Sequence, residues 1–154
     1  MASGAAEKHL GWRAARLVAL DTSPLVYYVE DHPEFAPALF PLFQSIERGR
    51  RRAVVSSLAL LEILVAPYRA GDDARRAYLT ALLSSFPNLT WVNLDPAIAD
   101  RAASLRARYR LSTPDAIHLA SALASQADVF LTNDRALRRV QEVSVLLVEE
   151  LPRP

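Results

Sequence analysis

The sequence predicts a single α/β domain built as a three-layer α/β/α sandwich around a central, mostly parallel sheet. Short apolar segments of strand length alternate along the chain with longer segments of helical periodicity, which is the pattern of βαβ units. No tight hairpin signal joins the strand segments, and this favours parallel pairing. A length of 154 residues suits one domain with a sizeable core.

The first predicted strand, residues 17–20, is a short apolar run that stops at Asp21. Ser23 and Pro24 follow, and these residue types suit the cap and the first turn of a helix. Asp21 is therefore expected at the carboxyl end of a buried strand.

The remaining elements follow from apolar spacing and from helix-start signals. Short apolar or β-branched runs predict further strands at 53–56, 89–94, 128–132 and 143–148. Helical spacing and Ser, Asp or Pro at helix starts predict helices at 35–46, 57 to about 68, 72–86, 95–109 and 112–126, with a short helix at 135–140. Pro67 is expected to end or bend the helix that contains it.

The composition excludes several functional classes. The 18 basic and 17 acidic side chains give a net charge of +1, so any nucleic-acid binding must come from a local patch. The absence of cysteine excludes disulfide scaffolds, thiol nucleophiles and cysteine-ligated metals.

No apolar run approaches the roughly 20 residues of a membrane span, and the first residues lack the apolar segment of a secretory signal. We therefore expect a cytoplasmic protein without a membrane partner. Residues 1–16 are expected to form an N-terminal tail or extension, and residues 17–154 the domain.

Four acidic residues occupy positions from which they are expected to share one site. Asp21 and Asp134 follow predicted strands, and ligands of open parallel sheets bind at the carboxyl ends of strands. Asp115 lies in the first turn of a predicted helix, where the helix dipole favours its ionised form. Glu62 is flanked by apolar residues and has no basic neighbour at helical spacing, so it needs a partner from elsewhere.

A bound cation is one solution that serves all four acids. Mg²⁺ takes oxygen ligands and keeps several waters, and a bound metal ion lowers the pKa of an attacking water. Taken singly, each acid has an ordinary alternative: a helix or turn cap for Asp21 and Asp134, a complement to the helix dipole for Asp115, and a solvent-facing position for Glu62. Together they favour a metal-dependent site.

Four segments of the chain resemble the PIN-domain ribonucleases and, within that family, the VapC-type toxins of bacterial toxin–antitoxin pairs. In order and spacing they fit the family from about Val18 to Val148, and the Pro-Asp-Ala-Ile-His-Leu-Ala run is the most specific of them. The segments are Leu20-Asp21-Thr22-Ser23, Leu60-Leu61-Glu62, Thr113-Pro114-Asp115-Ala116-Ile117-His118-Leu119-Ala120 and Leu131-Thr132-Asn133-Asp134.

The resemblance implies a PIN-like fold in which Asp21, Glu62, Asp115 and Asp134 are the catalytic, metal-binding acids. It further implies dependence on Mg²⁺ or Mn²⁺ and endonucleolytic cleavage of RNA, with structured tRNA or ribosomal RNA as the expected substrate. A small cognate antitoxin and a homodimer are the partners that it implies.

Residues beside the acids form a second group of candidates. The side chains of Thr22, Ser23, Thr132 and Asn133 are able to orient a carboxylate, a water or a phosphate, although helix capping is the alternative for Ser23. Arg135 follows an acid directly and is placed to hold an RNA backbone.

Two further features are given structural interpretations. His118 follows Asp115 by three residues, and a structural role is favoured over that of a catalytic base. Arg50 to Arg52 precede a strand, so they are expected away from the catalytic edge.

Three other functions are weighed against a toxin. Aspartyl-phosphate hydrolases require a second acid where this chain has Ser23, and a late lysine, whereas Lys8 is the only lysine. A non-catalytic PIN-like module is disfavoured because all four acids are present. A PIN nuclease of RNA processing stays open, although the small size favours a toxin.

Overall fold

Five strands form one sheet in the computed structural model, which describes residues 11–154. All four strand pairings are parallel, and the order across the sheet is β3-β2-β1-β4-β5. The predicted α/β class with a parallel sheet is therefore confirmed. The strands are β1 Leu17–Leu20, β2 Arg52–Ser56, β3 Leu89–Val92, β4 Val129–Thr132 and β5 Ser144–Leu147.

Among the described residues, six α-helices connect the strands, close to the bounds that the sequence predicts. No helix within residues 11–154 has the length and apolar character to cross a membrane. The helices are α1 Thr22–Val29, α2 Ala36–Glu47, α3 Leu58–Ala70, α4 Asp73–Ser85, α5 Pro96–Tyr109 and α6 Thr113–Ala124, with 3-10 turns at Arg135–Arg139 and Val148–Glu150.

Two details of the helices differ from the prediction. The cap of α1 is Asp21 rather than Ser23, because the Asp21 carboxylate accepts the backbone N–H of Thr22 at 2.8 Å. Pro67 lies inside α3, and that helix continues for three more residues to Ala70, with Gly71 as its C-cap. Gly71 has a φ of +63°, a conformation open to glycine that closes a helix.

Apolar side chains are buried on both faces of the sheet, which gives the three predicted layers. Neighbouring residues of each strand point to opposite faces, and each face has its own core. The core against α1 to α4 includes Leu20, Val55 and Leu131, and the core against α5 and α6 includes Ala19, Val54 and Phe130.

Helix α2 contributes to the first of these cores. Leu39 and Phe43 are 0% and 1% exposed, and the ring of Phe43 stacks on that of Tyr28 at 3.9 Å between centroids. Both side chains are therefore core residues.

The predicted N-terminal extension comprises residues 1–16, and the first ten of these lie outside the described part of the chain. In the described remainder, Trp12 and Ala15 are buried within the first core. The guanidinium of Arg51 donates to the carbonyl oxygen of Trp12 at 3.0 Å, which ties this segment to the start of β2.

Candidate active site

A pocket of about 450 Å³ opens at the carboxyl edge of the sheet, between the ends of β1 and β4 and the starts of α1 and α6. All four acids that the sequence singles out line it. The lining residues are Asp21, Thr22, Ser23, Val26, Tyr27, Glu62, Asp115, Asn133 and Asp134. Chain segments far apart in sequence thus bring four carboxylates to one place, because parallel strands end at the same edge.

Asp21 is largely enclosed, with a side chain 13% exposed. Its Oδ1 accepts the backbone N–H of Thr22 at 2.8 Å, and its Oδ2 accepts the hydroxyl of Thr132 at 2.7 Å. Burial raises the pKa of the Asp21 carboxyl and the charge of Asp115 adds to the rise, while His118 and the two hydrogen bonds oppose it. The ionised carboxylate is therefore held at an energetic cost that a nearby cation is able to offset.

Glu62 finds its partners on two other helices. Its Oε1 accepts the hydroxyl of Thr22 at 3.0 Å and lies 2.6 Å from Nε2 of His118. The side chain is 34% exposed, so it is neither buried among apolar residues nor free in solvent. The need for a partner was predictable from the apolar sequence around Glu62, whereas the partners themselves depend on how α3 packs against α1 and α6.

Asp115 and Asp134 complete the acidic lining of the pocket. Asp115 lies in the first turn of α6, where its backbone N–H donates to the cap residue Ser112 at 3.2 Å. Asp134 caps the 3-10 turn, because its Oδ1 accepts the N–H of Ala136 at 2.9 Å. Asp134 therefore has a capping role and also faces the pocket.

The second group of candidates divides into residues that contact the acids and residues that do not. Thr22 and Thr132 donate to the carboxylates described above. Ser23 lines the pocket, and Asn133 lies there with its Nδ2 3.4 Å from the hydroxyl of Tyr27.

The arginines that follow Asp134 are directed away from the pocket. Arg135 donates to both carboxylate oxygens of Glu149, at 2.6 and 2.9 Å, and Arg138 pairs with Glu150. Within residues 11–154 no Arg or Lys lines the pocket, so its charge is dominated by the acids. Arg52 opens β2, which places Arg50 to Arg52 at the opposite edge of the sheet, as predicted from strand polarity.

His118 lies beside the acids, and its contact with Glu62 is the feature of this site that the sequence did not indicate. It is 3% exposed, on the buried side of α6. Its Nε2 lies 3.3 Å from Thr22 Oγ1 and 3.8 Å from Asp21 Oδ1, in addition to its contact with Glu62. The spacing of three residues from Asp115 was the available signal, since it places both residues on one side of a helix.

The donor set fits a hard divalent cation. Among the described residues no three His, Asp or Glu side chains are arranged to hold a metal ion as they stand. Mg²⁺, however, keeps several waters and is held directly by only one or two carboxylates, so an open pocket lined by carboxylate and hydroxyl oxygens suits it. Burial and the charge of Asp115 raise the pKa of the Asp21 carboxyl. A cation bound nearby would oppose both effects and stabilise the ionised carboxylate.

Comparison with known sequences identifies one family. The family model of the PIN domain matches residues 18–143 of the chain. Comparison with curated proteins finds no match.

Comparison with solved structures finds the same fold in toxin–antitoxin proteins. VapBC2 from Rickettsia felis, bound to a DNA fragment from its promoter, is 15% identical with a TM-score of 0.69, over 85% of this chain and 98% of that one. A toxin–antitoxin complex from Klebsiella pneumoniae is 21% identical with a TM-score of 0.62, over 87% and 99%. VapC20 of Mycobacterium tuberculosis, a sarcin-ricin loop cleaving toxin, is 15% identical with a TM-score of 0.63, over 82% and 98%. These similarities confirm the predicted α/β/α fold.

Proposed function

Because this chain belongs to the PIN-domain family, we propose that it is a metal-dependent endoribonuclease that hydrolyses RNA phosphodiester bonds. The observation that carries the proposal is the convergence of Asp21, Glu62, Asp115 and Asp134 on one open pocket at the carboxyl edge of the sheet. Four acids without a lining Arg or Lys repel an RNA backbone unless cations intervene, so RNA binding and metal binding are expected together.

The chain's own residues supply oxygen ligands and hold them in place. The four acids are proposed to hold Mg²⁺ or Mn²⁺, one or two of them directly and the others through waters of the ion. When bound, such an ion lowers the pKa of an attacking water and stabilises the charge that develops on the phosphodiester. Thr132 and the backbone N–H of Thr22 fix the two oxygens of the Asp21 carboxylate.

The polar residues around the acids are proposed to position the substrate. Ser23 and Asn133 line the pocket and are able to donate to a phosphate or a water. Arg135 follows Asp134 outside the pocket lining and pairs with Glu149; its guanidinium is proposed to hold a phosphate of the RNA backbone beyond the acids.

We further propose that the protein is the toxin of a toxin–antitoxin pair. The support is its fold, shared with a toxin–antitoxin complex from Klebsiella pneumoniae and with VapC20. The proposal includes a cytoplasmic location, a homodimer, a cognate antitoxin that inhibits the nuclease, and tRNA or ribosomal RNA as substrate.

The test is cleavage of total cellular RNA by the purified protein in Mg²⁺, in Mn²⁺ and in EDTA. Asp115→Asn is the control for contaminating nuclease, because it removes a charge at nearly constant volume. Discrete products that require metal and are absent with the variant are expected, and mapping their ends identifies the RNA. Products that persist in EDTA, or with Asp115→Asn, would contradict the proposal.

A further inference from the structure

We propose that His118 is a positioning residue of this site, whose Nε2–H holds the Glu62 carboxylate in the orientation in which it faces the pocket. The inference rests on the proposed function, because the orientation of Glu62 matters only where that carboxylate binds a metal ion. It concerns a residue other than the four acids and their hydroxyl partners.

The two ring nitrogens of His118 have different surroundings. Nε2 lies 2.6 Å from Glu62 Oε1, and an ionised carboxylate only accepts hydrogen bonds, so the proton of this contact belongs to Nε2. The other ring nitrogen, Nδ1, is buried and has no hydrogen-bond partner within residues 11–154.

The distribution of these contacts distinguishes His118 from an ordinary buried histidine. Buried polar side chains that serve packing alone usually satisfy their polar atoms with backbone groups. The hydrogen-bond partners of His118 instead belong to the pocket: Glu62 at 2.6 Å and Thr22 at 3.3 Å. The ring thus leaves one nitrogen unsatisfied while the other is directed at the acids, which indicates a role at the site.

Glu62 needs such a restraint more than Asp21 does. Asp21 is fixed on both oxygens, and its short side chain starts at a strand end. Glu62 has a longer, flexible side chain that is 34% exposed, and fixing it costs conformational entropy. His118 and Thr22 both contact Oε1, whereas Oε2 receives no hydrogen bond from the described residues and is available to a cation or its water.

The burial of His118 makes it an effective anchor. The ring is 3% exposed and lies on α6, the helix that also carries Asp115. A ligand-positioning group with a locked rotamer limits the movement of the ligand that it holds. His118 therefore fixes Glu62 of α3 relative to Asp115 of α6.

The experiment compares two substitutions of His118 with a matched control. His118→Phe keeps a planar ring and removes the donor, whereas His118→Gln keeps an N–H donor near the position of Nε2. Ser121→Ala is the control, because Ser121 is 2% exposed on the same helix, and its hydroxyl donates to the carbonyl of Ile117 rather than to the site. For each protein we would measure Mn²⁺ affinity by calorimetry, melting temperature without metal, and kcat and KM for RNA.

We expect His118→Phe to bind Mn²⁺ at least ten-fold more weakly and to lose at least ten-fold in kcat, with little change in KM for RNA. His118→Gln should recover most of both losses, and Ser121→Ala should match the wild type. If the role of His118 is merely structural, His118→Phe should lower the melting temperature but leave Mn²⁺ affinity unchanged, so that His118→Gln has no loss of affinity to reverse. Should His118→Phe not fold, the comparison of Thr22→Val with Thr22→Ser removes and restores the second donor to Oε1.

The outcomes separate this inference from the proposed function. A wild type that binds Mn²⁺ and cleaves RNA, beside a folded His118→Phe of equal Mn²⁺ affinity, overturns the inference alone. A wild type that binds no Mn²⁺ and cleaves no RNA overturns both.

Discussion

The hydroxyl of Thr132 donates a 2.7 Å hydrogen bond to Oδ2 of Asp21, which joins the carboxyl ends of β4 and β1 across 111 positions of sequence. The same hydroxyl accepts the backbone N–H of Asp134 at 3.1 Å. Thr132 is fully buried. One side chain therefore fixes the position of one acid of the pocket and the backbone of another.

Thr132→Val is expected to impair the site and the fold together. The substitution preserves shape but takes a donor from the Asp21 carboxylate, whose pKa burial already raises. Loss of a hydrogen bond to a charged group lowers the free energy of unfolding by about 1.5–3 kcal/mol. It also raises the pKa of Asp21 further, so activity that needs the ionised form should be lost at a higher pH on acidification. Urea denaturation and the pH profile of kcat/KM measure the two effects.

Thr132→Ser is the matched control, because it keeps the hydroxyl and removes only a methyl group. It should restore the acid side of the pH profile, with a small loss of stability from the cavity. An identical pH profile for Thr132→Val and the wild type would show that this hydrogen bond does not act on Asp21.

The sequence was sufficient to predict which residues meet at the strand ends. Asp21 and Asp134 each follow an apolar run, and parallel strands end at one edge, so local pattern alone brings them together. The cap of α1 was less certain, because Asp and Ser are both good capping residues and stand two positions apart. The geometry of the chain after β1 decides in favour of Asp21.

The partners of Glu62 were beyond the sequence. Glu62 and His118 are 56 positions apart, and their contact depends on the packing of α3 against α6. Helical spacing predicts neighbours on one helix, but it carries no information about which residue of another helix lies opposite. The pairing of Arg135 with Glu149 was missed for the same reason, since it depends on the path of the chain after β5.

Asp128 is expected to stabilise the start of the sheet in a pH-dependent way. Its Oδ2 accepts the backbone N–H groups of Arg16 and Leu17, at 2.8 and 2.9 Å, and these bonds hold the pKa of its carboxyl below the usual range. A lowered pKa in the folded state means that the stabilisation is present above the unfolded pKa of about 3.9 and is lost as pH falls through the folded value. Asp128→Ala should cost about 1 kcal/mol near neutral pH.

Urea denaturation of both proteins between pH 7 and pH 2 measures this effect. The difference in stability should shrink as the pH falls below about 4. Asp128→Asn keeps a hydrogen-bond acceptor without the charge. Its stability at neutral pH should therefore lie between those of Asp128→Ala and the wild type, and it should lack this pH dependence. A difference that is constant with pH would rule out the charged hydrogen bond as its source.

Arg110→Gly is expected to stabilise the protein. Arg110 ends α5 with a φ of +54°, which strains a residue with a Cβ but suits glycine. Glycine relieves this strain but has more conformational freedom in the unfolded chain, which offsets part of the gain. The net effect should raise the free energy of unfolding by about 0.5–1 kcal/mol. Ala107→Gly, inside the same helix, should instead cost about 1 kcal/mol. Thermal melts of both variants decide the matter, and destabilisation by Arg110→Gly would mean that its side chain contributes more than its backbone costs.

Arg135→Ala tests whether this arginine contacts RNA. The pair with Glu149 is exposed, so its loss should change the free energy of unfolding little. If the guanidinium also holds a phosphate, KM for RNA should rise several-fold while kcat changes little. Glu149→Gln is the control, because it disrupts the same pair and leaves the arginine in place. Equal KM values for Arg135→Ala and Glu149→Gln would assign the arginine to the ion pair alone.

Mn²⁺ is expected to raise the melting temperature of the wild type, and Asp21→Asn should abolish that response. A ligand that binds only the folded state at a hundred-fold excess over its Kd adds about 2.7 kcal/mol, or roughly 5–10 °C for a chain of this size. Burial raises the pKa of the Asp21 carboxyl, so its ionised form lowers the stability of the metal-free protein at neutral pH. Asp21→Asn without metal should therefore melt at or above the temperature of the metal-free wild type, and below that of the wild type with Mn²⁺. Equal shifts with Mn²⁺ in the two proteins would place the cation elsewhere, because only a site that uses the Asp21 carboxylate loses its affinity with that charge.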